Sequence, residues 1–476
     1  MNTKKYVEKL MKDYNVAGMS IAVVKDGKVI TAEGFGLRDV ESGLPMTENT
    51  VLPIGSTTKS FTALALSMLV DEGKLSWDEP VKTYIPWLKL SDPYLTEHVT
   101  TRDLLCHRTG IPRYDMQTAF GTMDDWQRQI QSFQYLQTNQ SFRTKLQYSN
   151  QMVALAGHLI DVLTDSTYEQ FIKERIFKPL GMSHSDFEVD SLRSYEDYSK
   201  GYVFTGEGYM EPPYLHLGAF NPAGGIVSNA LDMAAYMLFQ LGDGTWNGQR
   251  LVSEENLKEM HTHQMIGSPY FWEFEEVSCA EYGFGWMTDI YRGIKMLSHG
   301  GNTNGFSSQL AIVPAQQFGI VALSNATSSF SVEALSNYLI DEDIGIKEIP
   351  DWSTRYQEIF GKMMGEAMAE IQKRAEAKTP NTVPTKPVET YAGIYEHPGF
   401  GTITLTVKDS ALAGEWNGNA AMFNHYQYDE FDMILPAMGA QLPAEFIFDD
   451  SGAIEGIRVS LEAAPGIKPD LFTKKG

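Results

Sequence analysis

The sequence Leu52-Pro-Ile-Gly-Ser-Thr-Thr-Lys-Ser60 carries the most information about this chain of 476 residues. It leads into a helical pattern over residues 60–72, which ends at Gly73, a residue suited to a helix C-terminus. Ser56 and Lys59 are three residues apart, so on a helix they share a face and the amine can reach the hydroxyl. A neutral lysine there can take the serine proton, and the helix N-terminus can stabilise an oxyanion. The alternative is a serine N-cap beside a surface lysine.

Two further motifs stand at the starts of predicted elements. Tyr148-Ser149-Asn150 directly precedes a helical pattern over residues 151–163, and His299-Gly300-Gly301 precedes a strand pattern over residues 309–313. A tyrosine hydroxyl can pass a proton to a leaving group, an asparagine side chain can hold a substrate amide, and a glycine-rich strand admits a close backbone approach. The alternatives are that Tyr148 is a packed aromatic residue and that His299 is a turn or core histidine.

In this order, S-x-x-K, Y-x-N and H-x-G resemble the motif set of the serine β-lactamase-like hydrolases. Within the penicillin-binding-protein superfamily, residues 5–345 resemble the branch of class C β-lactamases, D-aminopeptidases and carboxylesterases. Other stretches that resemble this branch are Leu104-Leu-Cys-His-Arg-Thr-Gly-Ile-Pro112, Ala223-Gly-Gly-Ile-Val-Ser-Asn229, Tyr282-Gly-Phe-Gly-Trp286 and His299-Gly-Gly-Asn-Thr-Asn-Gly-Phe306.

The resemblance implies a catalytic role for three of these residues. Ser56 would be the acylated nucleophile and Lys59 its base, paired with Tyr148 through a hydrogen bond. Tyr148 would protonate the leaving group and later activate the water that deacylates the enzyme. Asn150 would bind the substrate amide.

The resemblance also assigns the strand that follows His299 to substrate binding. His299 and Gly301 would lie beside the substrate, and the backbone N–H groups of Ser56 and Asn302 would form the oxyanion hole. His299 stands where related β-lactamases carry the lysine of K-T-G. Without that lysine a substrate carboxylate loses its main cation, so we expect peptidase, amidase or esterase activity rather than efficient β-lactamase action.

The sequence therefore predicts a serine hydrolase that acts through a Ser56 acyl-enzyme on peptides, with peptides containing D-residues as the first choice, or on amides or esters. Carboxylesterase action and acyl transfer, including peptide cyclisation, are alternatives within the family. A catalytically silent binding protein of the same fold is the alternative from another class. We expect no cofactor and no metal. The pair His261 and His263 has no carboxylate support in the sequence, and we interpret it as a solvated loop rather than a metal site.

The order of predicted elements favours an α+β fold. Strand patterns at residues 19–24, 29–32, 309–313 and 319–324 enclose a mainly helical middle, which suits an antiparallel sheet flanked by helices with a helical subdomain. We place this β-lactamase-like catalytic domain at residues 1–347. A connecting helix, whose methionines we interpret as packing residues, and a proline-rich linker follow at residues 348–388.

Residues 389–476 contain short strand patterns separated by turn residues and resemble a lipocalin-like β-barrel domain. The predicted strands are residues 402–407, 412–416, 431–435, 446–448 and 456–459. Such a domain would cap the active site, help assemble oligomers or simply stabilise the chain.

Charge excludes several kinds of partner. Lys and Arg number 38 against 61 Asp and Glu, which gives a net charge of −23. A field of this sign does not favour nucleic-acid phosphates or anionic membranes, so we expect a small-molecule or peptide substrate, with a homo-oligomer left open. The N-terminus lacks the apolar segment of a signal peptide, no apolar run is long enough to span a membrane, and we expect a cytoplasmic protein.

Overall fold

A computed structural model of the chain describes residues 3–121, 123–187, 189–268 and 273–475. These residues form two compact units. The first unit contains the residues up to Leu88 together with Tyr94–Gly110 and Gln140–Ile359. The second contains Lys89–Pro93, Ile111–Asn139 and the chain from Phe360 onward.

An antiparallel sheet of ten strands forms the core of the first unit. The strand Gly18–Lys25 pairs with Phe318–Ser324 on one side and with Lys28–Asp39 on the other, so the two ends of this unit meet in the sheet. Asp26 and Gly27 form the hairpin turn with φ angles of 48° and 75°, as expected for a two-residue turn. The predicted α+β fold is therefore confirmed. The strands across the sheet are Met265–Ile266, Glu281–Tyr282, Met287–Tyr291, Ile294–Thr303, Phe306–Val313, Phe318–Ser324, Gly18–Lys25, Lys28–Asp39 and Leu44–Pro45, with Val277–Cys279 paired to Met287–Tyr291.

Helices cover both faces of this sheet. Thr3–Asp13 and Ser331–Asp343 pack together on one face, where the rings of Tyr6 and Tyr338 stack 3.9 Å apart. Ala230–Gln240 packs on the other face, beside the buried helix Thr58–Asp71. None of the described helices is both long and apolar enough to cross a membrane.

The remaining short elements connect these parts of the structure. The helical segments are Gly55–Thr57, Val81–Tyr84, Pro93–His98, Thr101–Leu105, Asn150–Gly157, Leu159–Leu163, Tyr168–Ile172, Lys173–Phe177, Lys178–Leu180, Val189–Leu192, Gly218–Phe220, Asn221–Gly224, Glu254–Met260 and Pro314–Gln316. The small strands are Leu52–Pro53 with Ile226–Ser228 and Asp186–Phe187, Val203–Phe204 with Tyr209–Met210, and Thr245–Trp246 with Gln249–Arg250.

A closed antiparallel barrel forms most of the second unit, with its strands in sequence order. This up-and-down closure leaves no free sheet edge and confirms the predicted all-β barrel. Large buried side chains fill its interior: Tyr395, Trp416, Phe431, Phe446 and Phe472. The strands are Gly393–His397, Gly401–Lys408, Ala411–Trp416, Asn419–Gln427, Glu430–Leu435, Ala440–Phe448, Ile454–Val459 and Asp470–Lys474.

A segment from the middle of the chain packs with the barrel. Residues 111–139 contain the helices Asp115–Phe120 and Trp126–Ser132 and the short turn Phe133–Tyr135. The Tyr114 backbone N–H donates to Glu462, and the Phe120 ring lies 5.5 Å from that of Trp416. The sequence predicts three contiguous ranges, 1–347, 348–388 and 389–476. The two compact units are not contiguous in sequence, because these long-range contacts assign residues 111–139 to the second unit.

The connecting helix has the length that its sequence pattern predicts, but two of its methionines are exposed. It covers Trp352–Ala377 and is followed, after the proline-rich residues, by the short helix Val388–Tyr391. Met364 is 48% exposed and Met368 is 60% exposed. The interpretation of these methionines as packing residues is therefore wrong for this pair.

We expect Trp416→Ala to loosen the barrel, because the ring is fully buried and its Nε1–H donates to the Phe400 carbonyl at 2.7 Å. Loss of such a side chain costs about 3–5 kcal/mol. Hydrogen exchange of the barrel amides should accelerate in this variant and stay at wild-type rates in Met422→Ala, whose side chain is 47% exposed. Equal exchange in the two variants would contradict the packing described here.

Candidate active site

Ser56 lies in a tight turn that enters a buried helix. The turn is Gly55–Thr57 and the helix is Thr58–Asp71. Gly55 has a φ of 51°, a conformation that glycine adopts without strain. The preceding Ile54 backbone N–H donates to the Ile226 carbonyl at 3.0 Å, which anchors the turn to a neighbouring strand. Ser56 itself is half-buried.

Lys59 is fully buried, so the alternative of a surface lysine is wrong. Its amine donates to Ser56 Oγ at 3.0 Å, to Asn150 Oδ1 at 2.8 Å and to the Ala223 carbonyl at 2.6 Å. An ammonium has three N–H donors, and these three acceptors come from separate segments of the chain. Burying an ammonium is costly unless acceptors surround it, and this environment supplies them.

Tyr148 joins this cluster through its ring. The Lys59 amine lies 4.8 Å from the centroid of the Tyr148 ring, and the tyrosine is 8% exposed. Asn150 begins the helix Asn150–Gly157, so the Y-x-N motif enters a helix as predicted. The structure therefore brings Ser56, Lys59, Tyr148 and Asn150 together.

His107 holds the backbone on both sides of Tyr148. Its carbonyl accepts from the Gln147 N–H at 2.7 Å, its Nδ1 accepts from the Ser149 N–H at 3.1 Å, and its ring lies 4.3 Å from that of Tyr148. His107 has a φ of 58°, which is rare for a residue other than glycine. Such strain is characteristic of sites that the surrounding structure fixes in place.

A buried carboxylate fixes the loops that carry His107 and Tyr148. Asp103 is fully buried and contacts Arg108 at 2.5 Å and Arg143 at 2.7 Å. Burial raises the pKa of Asp103, but the hydrogen bonds from both guanidinium groups lower it further, so the net pKa is below the usual value. The carboxylate thus ties the segment before His107 to the segment before Tyr148.

The strand Ile294–Thr303 approaches the nucleophile turn closely at Gly301. A Cβ at this position would lie 2.0 Å from the Ile54 carbonyl oxygen and 2.5 Å from Ser308 Oγ. Ser308 Oγ donates to the same Ile54 carbonyl at 2.7 Å, which bridges the two segments. Only glycine permits this approach.

Asn302 lies at the same junction. A Cβ on Gly55 would lie 2.8 Å from the Asn302 backbone nitrogen, so this nitrogen faces the turn that carries Ser56. The Asn302 side chain is held by Ser307, whose hydroxyl donates to Asn302 Oδ1 at 2.8 Å. The residues of the predicted oxyanion hole are thus neighbours, while their action on a substrate stays a prediction.

His299 is buried beside Tyr148, with the two ring centroids 6.1 Å apart, and its predicted contact with substrate stays a prediction. It is 3% exposed, its Nε2 is 2.9 Å from the Tyr282 hydroxyl and its Nδ1 is 2.6 Å from the Gly300 carbonyl. Burial, with a smaller effect from nearby Lys59, lowers the pKa of His299 to about 3. At neutral pH the ring is uncharged, so Nδ1–H donates to the carbonyl and Nε2 accepts from Tyr282. Both ring nitrogens are thus used within the protein.

The pair His261 and His263 differs from the solvated loop that the sequence predicts. His261 Nε2 contacts Gln240 Oε1 at 2.8 Å, and burial lowers the pKa of this histidine to about 3. His263 is exposed and lies 3.3 Å from Glu281. In the described part of the chain, no cluster of three metal-ligating side chains occurs. Cys106 and Cys279 are free thiols.

The Beta-lactamase family model matches residues 3–343, and the chain belongs to this family of β-lactamase-fold serine hydrolases. A domain of unknown function, DUF3471, matches residues 377–474. The unguisins hydrolase ungD of Aspergillus violaceofuscus is 28% identical over 98% of this chain and 88% of its own length.

Two solved structures share the fold. The octameric penicillin-binding protein homologue from Pyrococcus abyssi is 24% identical, with a TM-score of 0.64 over 97% of this chain and 98% of that chain. The class C β-lactamase from Rhodobacter sphaeroides is 20% identical, with a TM-score of 0.58 over 72% of this chain and 99% of that chain.

Sequence reasoning missed several contributors to the site. His107, the Ala223 carbonyl and Tyr282 lie in stretches that resemble the family, but their residue types alone indicate no role. Ser308 lies in a buried strand, and only the three-dimensional structure shows its bond to the Ile54 carbonyl.

We expect Gly301→Ala to reduce activity by about 100-fold, because the methyl group would push the strand away from the nucleophile turn. Gly208→Ala is the matched control, since a Cβ there meets nothing within 4 Å. Steady-state rates on an activated ester measure both variants. Wild-type activity in Gly301→Ala would contradict the close approach.

The lowered pKa of His299 predicts that the stability of the folded protein depends on pH. Below pH 6.5 the unfolded chain takes up a proton at His299, whereas the folded protein does not until about pH 3, so the free energy of unfolding falls as the pH falls. Between pH 7 and pH 5 this histidine contributes about 2 kcal/mol of that loss. Denaturant titrations of His299→Asn should show a correspondingly weaker pH dependence, while His98→Asn, at an exposed position, should match the wild type.

Proposed function

We propose that the chain is a serine hydrolase that forms an acyl-enzyme at Ser56 with peptide, amide or ester substrates. The observation that carries this proposal is the 3.0 Å contact between the buried Lys59 amine and Ser56 Oγ. Nucleophilic catalysis needs a base within hydrogen-bond reach of the nucleophile, and further groups that hold the base in place. Asn150 and the Ala223 carbonyl hold the amine in this position.

In the proposed acylation, Lys59 reacts as the neutral amine, with two N–H groups on Asn150 and the Ala223 carbonyl and its lone pair directed at Ser56. Ser56 Oγ attacks the substrate carbonyl as its proton passes to Lys59, which in turn passes a proton to Tyr148. The backbone N–H groups of Ser56 and Asn302 stabilise the oxyanion. Tyr148 then protonates the leaving group as the carbonyl re-forms and the bond to that group breaks. In deacylation the same pair takes a proton from water, which attacks the ester and returns Ser56 to its hydroxyl form.

Peptides with D-residues are our first choice of substrate class, with small esters next. Some substrates bind through a carboxylate that needs a cation in the site. His299 carries no charge near pH 7, which supports a preference for substrates without such a carboxylate. The relative named as an unguisins hydrolase supports hydrolysis over binding alone. Acyl transfer to an amine, including cyclisation, is the second candidate within the same acyl-enzyme chemistry.

We propose residues 1–347 as the catalytic domain, 348–388 as the connection and 389–476 as the barrel domain. The filled barrel interior supports a stabilising or assembly role over ligand transport. The Pyrococcus abyssi homologue, which aligns over 97% of this chain, is octameric, and we propose a homo-oligomer here as well. Size-exclusion chromatography with light scattering measures this state directly.

Labelling with a fluorophosphonate tests the nucleophile. The wild type should take up one label on the peptide that contains Ser56 and lose its hydrolytic activity. Ser56→Ala should take up none and turn over no ester, amide or D-amino-acid anilide, while Ser76→Ala, at an exposed position, should behave like the wild type. A wild-type protein that neither labels nor turns over these substrates would support a silent binding protein instead.

We expect Tyr148→Phe to lower turnover by about 100-fold or more, as loss of a general acid–base group does. Deacylation should suffer as well as acylation, so the acyl-enzyme should accumulate with a slow ester and be visible as a mass increase of the intact protein. Tyr94→Phe serves as the control, because that tyrosine is 62% exposed. Wild-type rates for both steps would reduce Tyr148 to a packing role.

A further inference from the structure

A cavity of about 630 Å³ lies in the first unit, and its lining includes none of the residues assigned to acylation. Side chains alternate across a strand, and along Ile294–Thr303 the residues Met296 and Ser298 line the cavity, whereas Gly301 meets the nucleophile turn. Met296 and Ser298 therefore lie on the opposite face of their strand from the contact at Gly301, while Met287, at another part of the wall, packs in a cluster with Tyr148. Its volume is within the range of pockets that bind small molecules.

Two buried oxygens at this cavity have no hydrogen-bond partner among the described residues. They are Oε2 of Glu333, on the helix Ser331–Asp343, and Oε1 of Gln309, on the adjacent strand. Glu333 is 8% exposed and Gln309 is 6% exposed. A buried polar atom without a partner is costly, so this wall of the cavity is suited to a ligand that donates hydrogen bonds.

The charges that line the cavity have one sign. Glu273, Asp289 and Glu333 contribute carboxyl groups, and no lysine, arginine or histidine occurs among the described lining residues. Burial raises the pKa of Glu333 to about 8 and that of half-buried Asp289 to about 7. Both carboxyls are thus partly neutral at pH 7, which is the response of buried acids that have no cation beside them.

Other ionisable groups face these two carboxyls from the surrounding elements. Cys279, Tyr291 and Tyr356 line the same cavity. Tyr14, just after the first helix, is close enough to Glu333 to be affected by its charge, and Glu281 acts on Asp289. All of these groups are neutral or anionic near pH 7, so none of them neutralises a carboxylate. Arg292 and Arg355 lie near the lining residues Tyr291 and Phe274, but they are paired with Asp341 and Glu276. A bound cation would therefore meet a carboxyl group that has no cation partner among the described lining residues.

Apolar side chains form part of the wall, beside serines, tyrosines and Asn337, and they favour a cation that carries a hydrocarbon group. They include Phe274, Val277, Met287 and Met296. A hydrated metal ion would leave this surface uncovered, whereas an alkyl or aromatic chain would cover it. An ammonium supplies the hydrogen-bond donors that the unpaired oxygens of Glu333 and Gln309 lack.

We propose that this cavity binds an apolar primary amine as its ammonium ion, with Glu333 as the charge partner, Gln309 as a second acceptor and the apolar side chains of the wall around its hydrocarbon part. Binding forms an ion pair between the ammonium and the Glu333 carboxylate and releases the proton that the carboxyl held. The site does not depend on the hydrolytic function, because it shares none of the residues assigned to acylation.

Isothermal titration of the full chain with hexylamine at pH 7 tests this proposal, with hexan-1-ol as the uncharged analogue. Hexylamine should bind at least about tenfold more tightly than hexan-1-ol. Titrations in two buffers of different ionisation enthalpy should show release of about one proton per amine. The Ser56→Ala variant should bind hexylamine as the wild type does. Amine binding can therefore be tested whether or not the proposed hydrolase activity is found.

Glu333→Gln is the decisive variant, since an amide replaces a largely neutral carboxyl of the same shape and should preserve the fold. We expect it to weaken hexylamine binding by at least about tenfold and to remove most of the proton release. Glu342→Gln, exposed on the same helix as Glu333, should change nothing. Absence of hexylamine binding, equal affinity for the alcohol, or unchanged binding in Glu333→Gln would overturn the proposal.

Discussion

The buried amine of Lys59 is the interaction on which the rest of the site depends. It bonds to Ser56, to Asn150 at the start of another helix and to the carbonyl of Ala223, so three distant segments converge on one group. An ammonium removed from water is stable only with such acceptors around it. The need of the buried amine for acceptors fixes these segments relative to one another. It also places a proton carrier beside the nucleophile, so the fold and the proposed chemistry depend on the same contacts.

A steric constraint complements this polar one. The turn that carries Ser56 and the strand Ile294–Thr303 approach so closely that both contact positions, Gly55 and Gly301, are glycines. Ser308 bridges the two segments through the Ile54 carbonyl. The approach brings the backbone of Asn302 next to the nucleophile turn, and it explains why the sheet, rather than the helical part alone, forms one wall of the site.

The sequence predicted the motif residues, the α+β fold and the barrel, because spacing and turn residues are local properties. It did not predict the burial of His299, which depends on Tyr282 from a neighbouring strand. Three barrel strands were also missed: Gly393–His397, Asn419–Gln427 and Asp470–Lys474. The association of residues 111–139 with the barrel arises from contacts such as that between Tyr114 and Glu462, which local patterns do not encode.

The acylation rate of Lys59→Met tests the central role of the buried amine most directly. The burst of p-nitrophenolate from an activated ester isolates this step, and Lys74→Met, 46% exposed at its side chain, is the matched control. The account predicts a rate constant at least about 100-fold below the wild type, with an unchanged near-ultraviolet circular dichroism spectrum. A burst as fast as that of the wild type in a folded Lys59→Met protein would contradict it.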